Sequence, residues 1–104
     1  METYNIYVSD SFQKDLMQIV YYINHSLSAP FTAANFLEII ENTLYDLSLM
    51  PHRYVLVSDP YLGKKGFRKC IIKKYILFFT INEGSKSIHV HRILHSRQNW
   101  MNIL

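Results

Sequence analysis

The run Gly66-Phe67-Arg68-Lys69-Cys70-Ile71-Ile72-Lys73-Lys74-Tyr75-Ile76-Leu77-Phe78-Phe79-Thr80-Ile81-Asn82-Glu83-Gly84-Ser85-Lys86-Ser87-Ile88-His89-Val90-His91-Arg92-Ile93-Leu94-His95 sets the architecture. After Gly66, Phe67 to Ile72 alternates: Phe67, Lys69 and Ile71 share one face, and Arg68, Cys70 and Ile72 share the other. That period of two predicts a strand. Lys73-Lys74 is a tight polar connection. Tyr75 to Ile81 is almost wholly apolar, as expected of a central strand covered on both faces. Asn82 to Lys86 reads as a hairpin loop, and Ile88 to Leu94 as the last strand. Three strands joined this closely form an antiparallel meander.

Upstream, the pattern changes. Tyr4, Ile6 and Val8 alternate with polar or exposed partners and predict a first strand. Asp10 is expected to cap a helix, with Gln13 reaching back three residues later. Phe12, Leu16, Ile19, Val20, Ile23 and Leu27 then follow at helical spacing, so an amphipathic helix is predicted to about Leu27. Ser28-Ala29-Pro30 breaks it. Thr32 is the expected cap of a second helix whose apolar stripe is Ala33, Phe36, Leu37, Ile40, Leu44 and Leu47. Pro51 ends that helix near Met50, because it lacks an N–H and disfavours helix before it. Residues 51–65 read as a loop, and Trp100, Ile103 and Leu104 fit one helical turn in the tail. The order is strand, helical hairpin, three-stranded meander: an α+β fold with one sheet, packed as a single domain over 1–104.

Composition narrows the function classes. The chain has 104 residues, 49% of them apolar, which is enough to fill one core without help. Its single cysteine, Cys70, excludes an internal disulfide and any cysteine-cluster zinc site. No apolar run approaches the ~18 residues of a membrane span. Met1-Glu2-Thr3-Tyr4 lacks the start of a signal peptide, so a cytoplasmic location is expected. Charge is sharply divided. Residues 1–50 carry one base and six acids, and residues 51–104 ten bases and two acids, so a half at −5 faces a half at +8. The basic half calls for a polyanion or an acidic protein partner.

Three side-chain groups could carry chemistry. His89 and His91 lie on one strand face, with His95 expected to continue it, yet a zinc site needs three or four ligands and no Cys or carboxylate stands nearby in sequence, so no metal site is expected. Arg68, Arg92, His95 and Arg97 could grip a phosphate and move a proton, as cleavage of RNA through its own 2′-hydroxyl requires. Arg92 could equally be a structural bridge between strands. Lys64, Lys65, Lys69, Lys73, Lys74 and Lys86, interleaved with Tyr54, Tyr61, Phe67 and Tyr75, form a possible nucleic-acid surface. The alternative is edge-strand protection against aggregation.

Several of these features together resemble a known family. They are the first strand, the Ser9-x-x-x-x-x-Asp15-Leu16 helix start, Gly66-Phe67-Arg68, Tyr75-x-x-x-Phe79 and the Arg92-Ile93-Leu94-His95-Ser96-Arg97 block. In this order they look like the RelE/ParE superfamily of bacterial toxins. The resemblance implies the toxin of a type II toxin–antitoxin module, linked to growth inhibition and plasmid stabilisation. It implies an antitoxin partner that wraps the toxin, contact with operator DNA only through that antitoxin, and no cofactor. RelE-like members cut mRNA on the ribosome without a metal, and ParE-like members poison DNA gyrase. The ribonucleases usually carry an arginine directly after the tyrosine that opens the central strand, where this chain has Ile76. Nor does it end in the His-Tyr of another ribonuclease branch. Arg97 matches a ribonuclease arginine and Arg68 lies near their second-strand lysines, so Arg68, His95 and Arg97 are the catalytic candidates under that alternative. Lys64, Lys65, Lys69, Lys73, Lys74 and Arg92 are the candidates for holding nucleic acid or target. The balance leans to the ParE-like reading.

Overall fold

The computed structural model describes residues 3–104; Met1 and Glu2, which open the N-terminal stretch read above, lie outside the described residues. Strand β1 (Asn5–Val8) leads into helix α1 (Asp10–Tyr21), which runs on as a π-helical turn over Tyr22–Ser26. Helix α2 (Pro30–Leu49) returns antiparallel. A 3-10 turn (Pro51–Arg53) and a short helix α3 (Pro60–Lys64) precede strands β2 (Arg68–Ile72), β3 (Tyr75–Asn82) and β4 (Ser87–His95), and a last turn α4 spans Trp100–Ile103. The four strands form one sheet in the order β1-β4-β3-β2. β1 runs parallel to β4, and the other pairs are antiparallel. This is the expected α+β arrangement.

Several local expectations need correction. Ser9, not Asp10, caps α1: its hydroxyl accepts the Phe12 N–H at 2.9 Å and donates to the His91 carbonyl at 2.7 Å. A serine tied to β4 outcompetes the neighbouring aspartate, which becomes the first helical residue. Thr32 caps nothing. α2 begins two residues earlier with Pro30, whose fixed φ and missing N–H suit a first helical position. Residues 51–65 are not a plain loop. Asp59 caps α3 by accepting the Leu62 N–H at 2.9 Å, and Leu56 bridges to Arg68 on the outer edge of β2. Gly63 is required there, since a Cβ would meet the Val57 carbonyl oxygen at 2.7 Å.

The two faces of the sheet are covered unequally. The helical hairpin buries the larger cluster, with Phe12, Phe36, Ile40, Leu47, Leu77, Phe79 and Ile93 at its centre. Leu44 packs against this cluster only half buried, while Leu47, one turn on, is fully enclosed. On the opposite face, α3 and the C-terminal turn cover a smaller cluster of Val57, Leu62, Ile76, Phe78 and Leu94. Central strand β3 is therefore apolar on both faces, as its sequence demands.

A bulge decides which way β4 points. Phe78 pairs with Arg92 but Phe79 pairs with Val90, so His91 is the extra residue. Ile88 and Val90 face the helices before the bulge, and Ile93 faces them after it. His95 is thereby carried to the helical side, and the expected continuous face of His89, His91 and His95 does not form.

Candidate functional site

β1 ends at Val8 while β4 runs on to His95, so the rim of β4 beyond Val90 has no strand beside it. Asp15 on α1 fills that role. Its Oδ2 accepts the Ile93 backbone N–H at 3.2 Å. The same carboxylate holds Arg92 in a two-pronged pair, with Nε to Oδ2 at 2.7 Å and Nη2 to Oδ1 at 2.8 Å. The Asp15 side chain is only 10% exposed and that of Arg92 26%. The carboxylate hydrogen bond holds the guanidinium even more firmly protonated than usual. Arg92 is thus committed to the fold, as a bridge from strand to helix.

Beside this pair a cleft of about 720 Å³ opens between the hairpin and the ends of β3 and β4. Ile19, Ile23, Phe36 and Tyr75 contribute apolar walls, and Lys73, Lys74, His95 and Gln98 contribute polar ones. Burial raises the pKa of the Tyr75 phenol, with Tyr22 adding to it. The His95 ring sits edge-on to Tyr75, with centroids 5.5 Å apart. Its Nδ1 accepts the Arg97 backbone N–H at 3.1 Å. In neutral His95 that leaves Nε2 carrying the proton, a donor rather than a base.

The structure places His95 in the cleft with Lys73 and Lys74, joins Arg97 to it through the Arg97 backbone N–H alone, and separates Arg68 from them. Arg68 lies opposite Phe79, whereas Ile72 lies opposite Tyr75, the partner of His95. Four residues of strand put Arg68 roughly 13 Å away along the sheet at ~3.3 Å per residue, and two strands over. Its Nη1 donates to the Tyr54 carbonyl at 2.6 Å. Lys64 ends α3 and Lys65 follows it on the surface, with Lys65 over the Tyr61 ring at 4.3 Å. Lys69 is half buried on the sheet face away from the hairpin.

Ile76 occupies the position after Tyr75. It is 9% exposed in the second cluster, beside Phe78 and Leu94. Trp100 and Leu104 pack on that cluster, with the Trp100 and Phe78 rings 5.2 Å apart. On the same side of the sheet, His91 Nε2 shares a 2.9 Å hydrogen bond with Thr80 Oγ1. Burial, then the neighbouring His89, lowers the pKa of His91. The exposed His89 stacks on Tyr7. No group of three metal-ligating side chains occurs among the described residues.

Asp15 is the residue that charge counting passed over. Its signal was present: it lies three residues after Phe12 and four before Ile19, on the apolar stripe of α1. An acid facing a core demands a cation, and Arg92 is that cation.

Comparisons with known proteins agree with this architecture. The family model described as "ParE toxin of type II toxin-antitoxin system, parDE" matches residues 6–100. Among curated proteins no sequence match is found. Two solved structures share the fold. One chain comes from the toxin–antitoxin complex RelBE2 of Mycobacterium tuberculosis, with TM-score 0.64 and 18% identity over 89% of this chain and 98% of that one. The other comes from the chromosomal ParDE system of P. aeruginosa, with TM-score 0.68 and 17% identity over 89% of this chain and 96% of that one.

Proposed function

We propose a gyrase-directed action from one premise: the chain belongs to the ParE toxin family of type II toxin–antitoxin systems. The protein inhibits growth by binding DNA gyrase and stabilising its cleaved DNA intermediate, and a cognate antitoxin neutralises it. The RelBE2 complex and the ParDE system whose chains share this fold support an antitoxin partner.

The observation that carries the gyrase reading is the burial of Ile76. Ribosome-dependent ribonucleases of the superfamily usually carry an arginine after the strand-opening tyrosine. Here that position is a 9%-exposed apolar side chain in the second core cluster. A guanidinium there would have to be desolvated among Phe78 and Leu94. Two further features point the same way. Arg68 lies far along the sheet from His95, too far to share one phosphate with it. The Nδ1 lone pair of His95 is occupied by the Arg97 N–H, so the neutral ring has no free lone pair to accept a 2′-hydroxyl proton. Stabilising a cleaved gyrase–DNA complex requires no proton transfer by the toxin. The reading rests on binding surfaces alone.

Inducing the protein in cells, with and without the antitoxin encoded beside it, tests the proposal. Gyrase-linked DNA breaks and the SOS response should appear without the antitoxin, while mRNA ends stay intact. Discrete cuts in translated mRNA without DNA damage would overturn it in favour of the ribonuclease reading.

A further inference from the structure

The charge of the C-terminal half is concentrated rather than spread. From Pro60 to Asn82 the chain has no acid, yet it holds Lys64, Lys65, Arg68, Lys69, Lys73 and Lys74. These residues run from the end of α3, along β2, the last strand of the sheet, whose outer side is met by residues 55–57, to the β2–β3 turn. Lys69 and Lys73 are four residues apart, roughly 13 Å along the strand. Lys64, Lys69, Lys73 and Lys74 form no ion pair among the described residues. The nearest acid in sequence, Asp59, is occupied in capping α3.

The turn adds a second, independent observation. Lys73 has φ +55°, a conformation that L side chains rarely adopt. Two-residue hairpin turns favour Asn, Asp or Gly at such a position. A lysine stands there nonetheless, followed by another, so the charge is carried out to the tip of the turn.

We infer that this lysine flank binds the phosphate backbone of duplex DNA directly and without regard to sequence. Its chemistry suits a polyphosphate better than a peptide. Lysines are depleted from protein interfaces, whose affinity comes from buried aromatic and arginine anchors. Here the one large apolar side chain exposed on β2 is Ile71. Ammonium groups without an ion pair, spaced along β2 and the turns at its two ends, can each displace a counterion from a rigid duplex. Arg92, locked to Asp15, takes no part. Such binding goes beyond gyrase recognition and does not require it. In a gyrase–DNA complex it would let the toxin hold protein and DNA at once.

The purified full chain, without gyrase, tests the inference by fluorescence anisotropy on a labelled 24-base-pair duplex of arbitrary sequence. Competitors are a second duplex sequence, a 24-nucleotide single-stranded RNA and polyglutamate. We expect equal affinity for both duplexes and a log–log salt slope of about −4.5 for five phosphate contacts, which is roughly 500-fold between 50 and 200 mM salt. The paired variant Lys73→Gln/Lys74→Gln should reduce the slope by about 2, while Lys14→Gln on α1 leaves it unchanged. The wild-type slope stands whether or not the paired variant folds. No binding at 50 mM salt would overturn the inference. So would a slope shallower than about −2, or tighter binding of the RNA or polyglutamate. If the paired variant aggregates while wild type shows no salt-dependent binding, the lysines only guard the sheet edge and the inference fails.

Discussion

Two basic regions lie close together in this molecule and use their charge in opposite ways. Arg92 is half buried and held by both oxygens of Asp15, which also takes the Ile93 N–H. The lysine flank along β2 carries more charge, yet Lys64, Lys69, Lys73 and Lys74 form no ion pair among the described residues. A charge count scores the two alike. The difference lies in solvation. A cation removed from water must find a carboxylate, and having found one it becomes a structural part. A cation left in water remains available to a polyanion.

The largest effect should therefore come from removing an acid. Asp15→Ala would strand Arg92 and leave the Ile93 N–H unpaired, at a cost of about 3–5 kcal/mol in urea unfolding. A loss below about 1 kcal/mol would mean that the pair is ornamental and the contrast false. Next, Lys73→Asn should keep the turn and relieve its φ, raising stability by up to about 1 kcal/mol. The same variant should weaken duplex binding, so that stability and binding move in opposite directions. A variant that loses both would show the lysine to be structural. Lys64→Gln, at an exposed position, should change stability by less than about 0.5 kcal/mol, as surface substitutions do.

The smallest effect concerns Glu83, which accepts hydrogen bonds from Tyr4, His52 and Lys86 and whose pKa is lowered to about 2. A carboxylate depressed on folding contributes stability above its unfolded value and loses it as pH falls towards the folded value. Wild type and Glu83→Gln should therefore differ most in unfolding midpoint at neutral pH. The gap should narrow from about pH 4.5 downward and close near pH 2. A gap that widens on acidification would contradict the assignment.

The order of elements and the doubly covered β3 were legible in the sequence, because hydrophobic period is a backbone property expressed in every residue. What escaped was tertiary. Ser9 capped α1 instead of Asp10 because β4 supplied a carbonyl to its hydroxyl. His95 changed faces because a bulge at His91 shifted the register, and a bulge leaves no mark on alternation until the partner strand is known. The missing arginine at Ile76 was visible, but not that the position is buried in the second cluster, on which Trp100 packs. The grouping of Arg68, His95 and Arg97 came from residue chemistry and the family resemblance. Antiparallel pairing places Arg68 at the other end of the sheet from His95.

The central claim is that the protein acts on gyrase as a binder, without chemistry of its own. The most direct measurement incubates purified protein with DNA gyrase, ATP and supercoiled plasmid, then denatures the proteins and resolves the DNA. The account predicts linear plasmid that depends on gyrase and on dose, with the His95→Ala variant as effective as wild type. If the plasmid remains uncut while the same preparation cleaves mRNA in a translating extract, and His95→Ala abolishes that cleavage, the account is wrong.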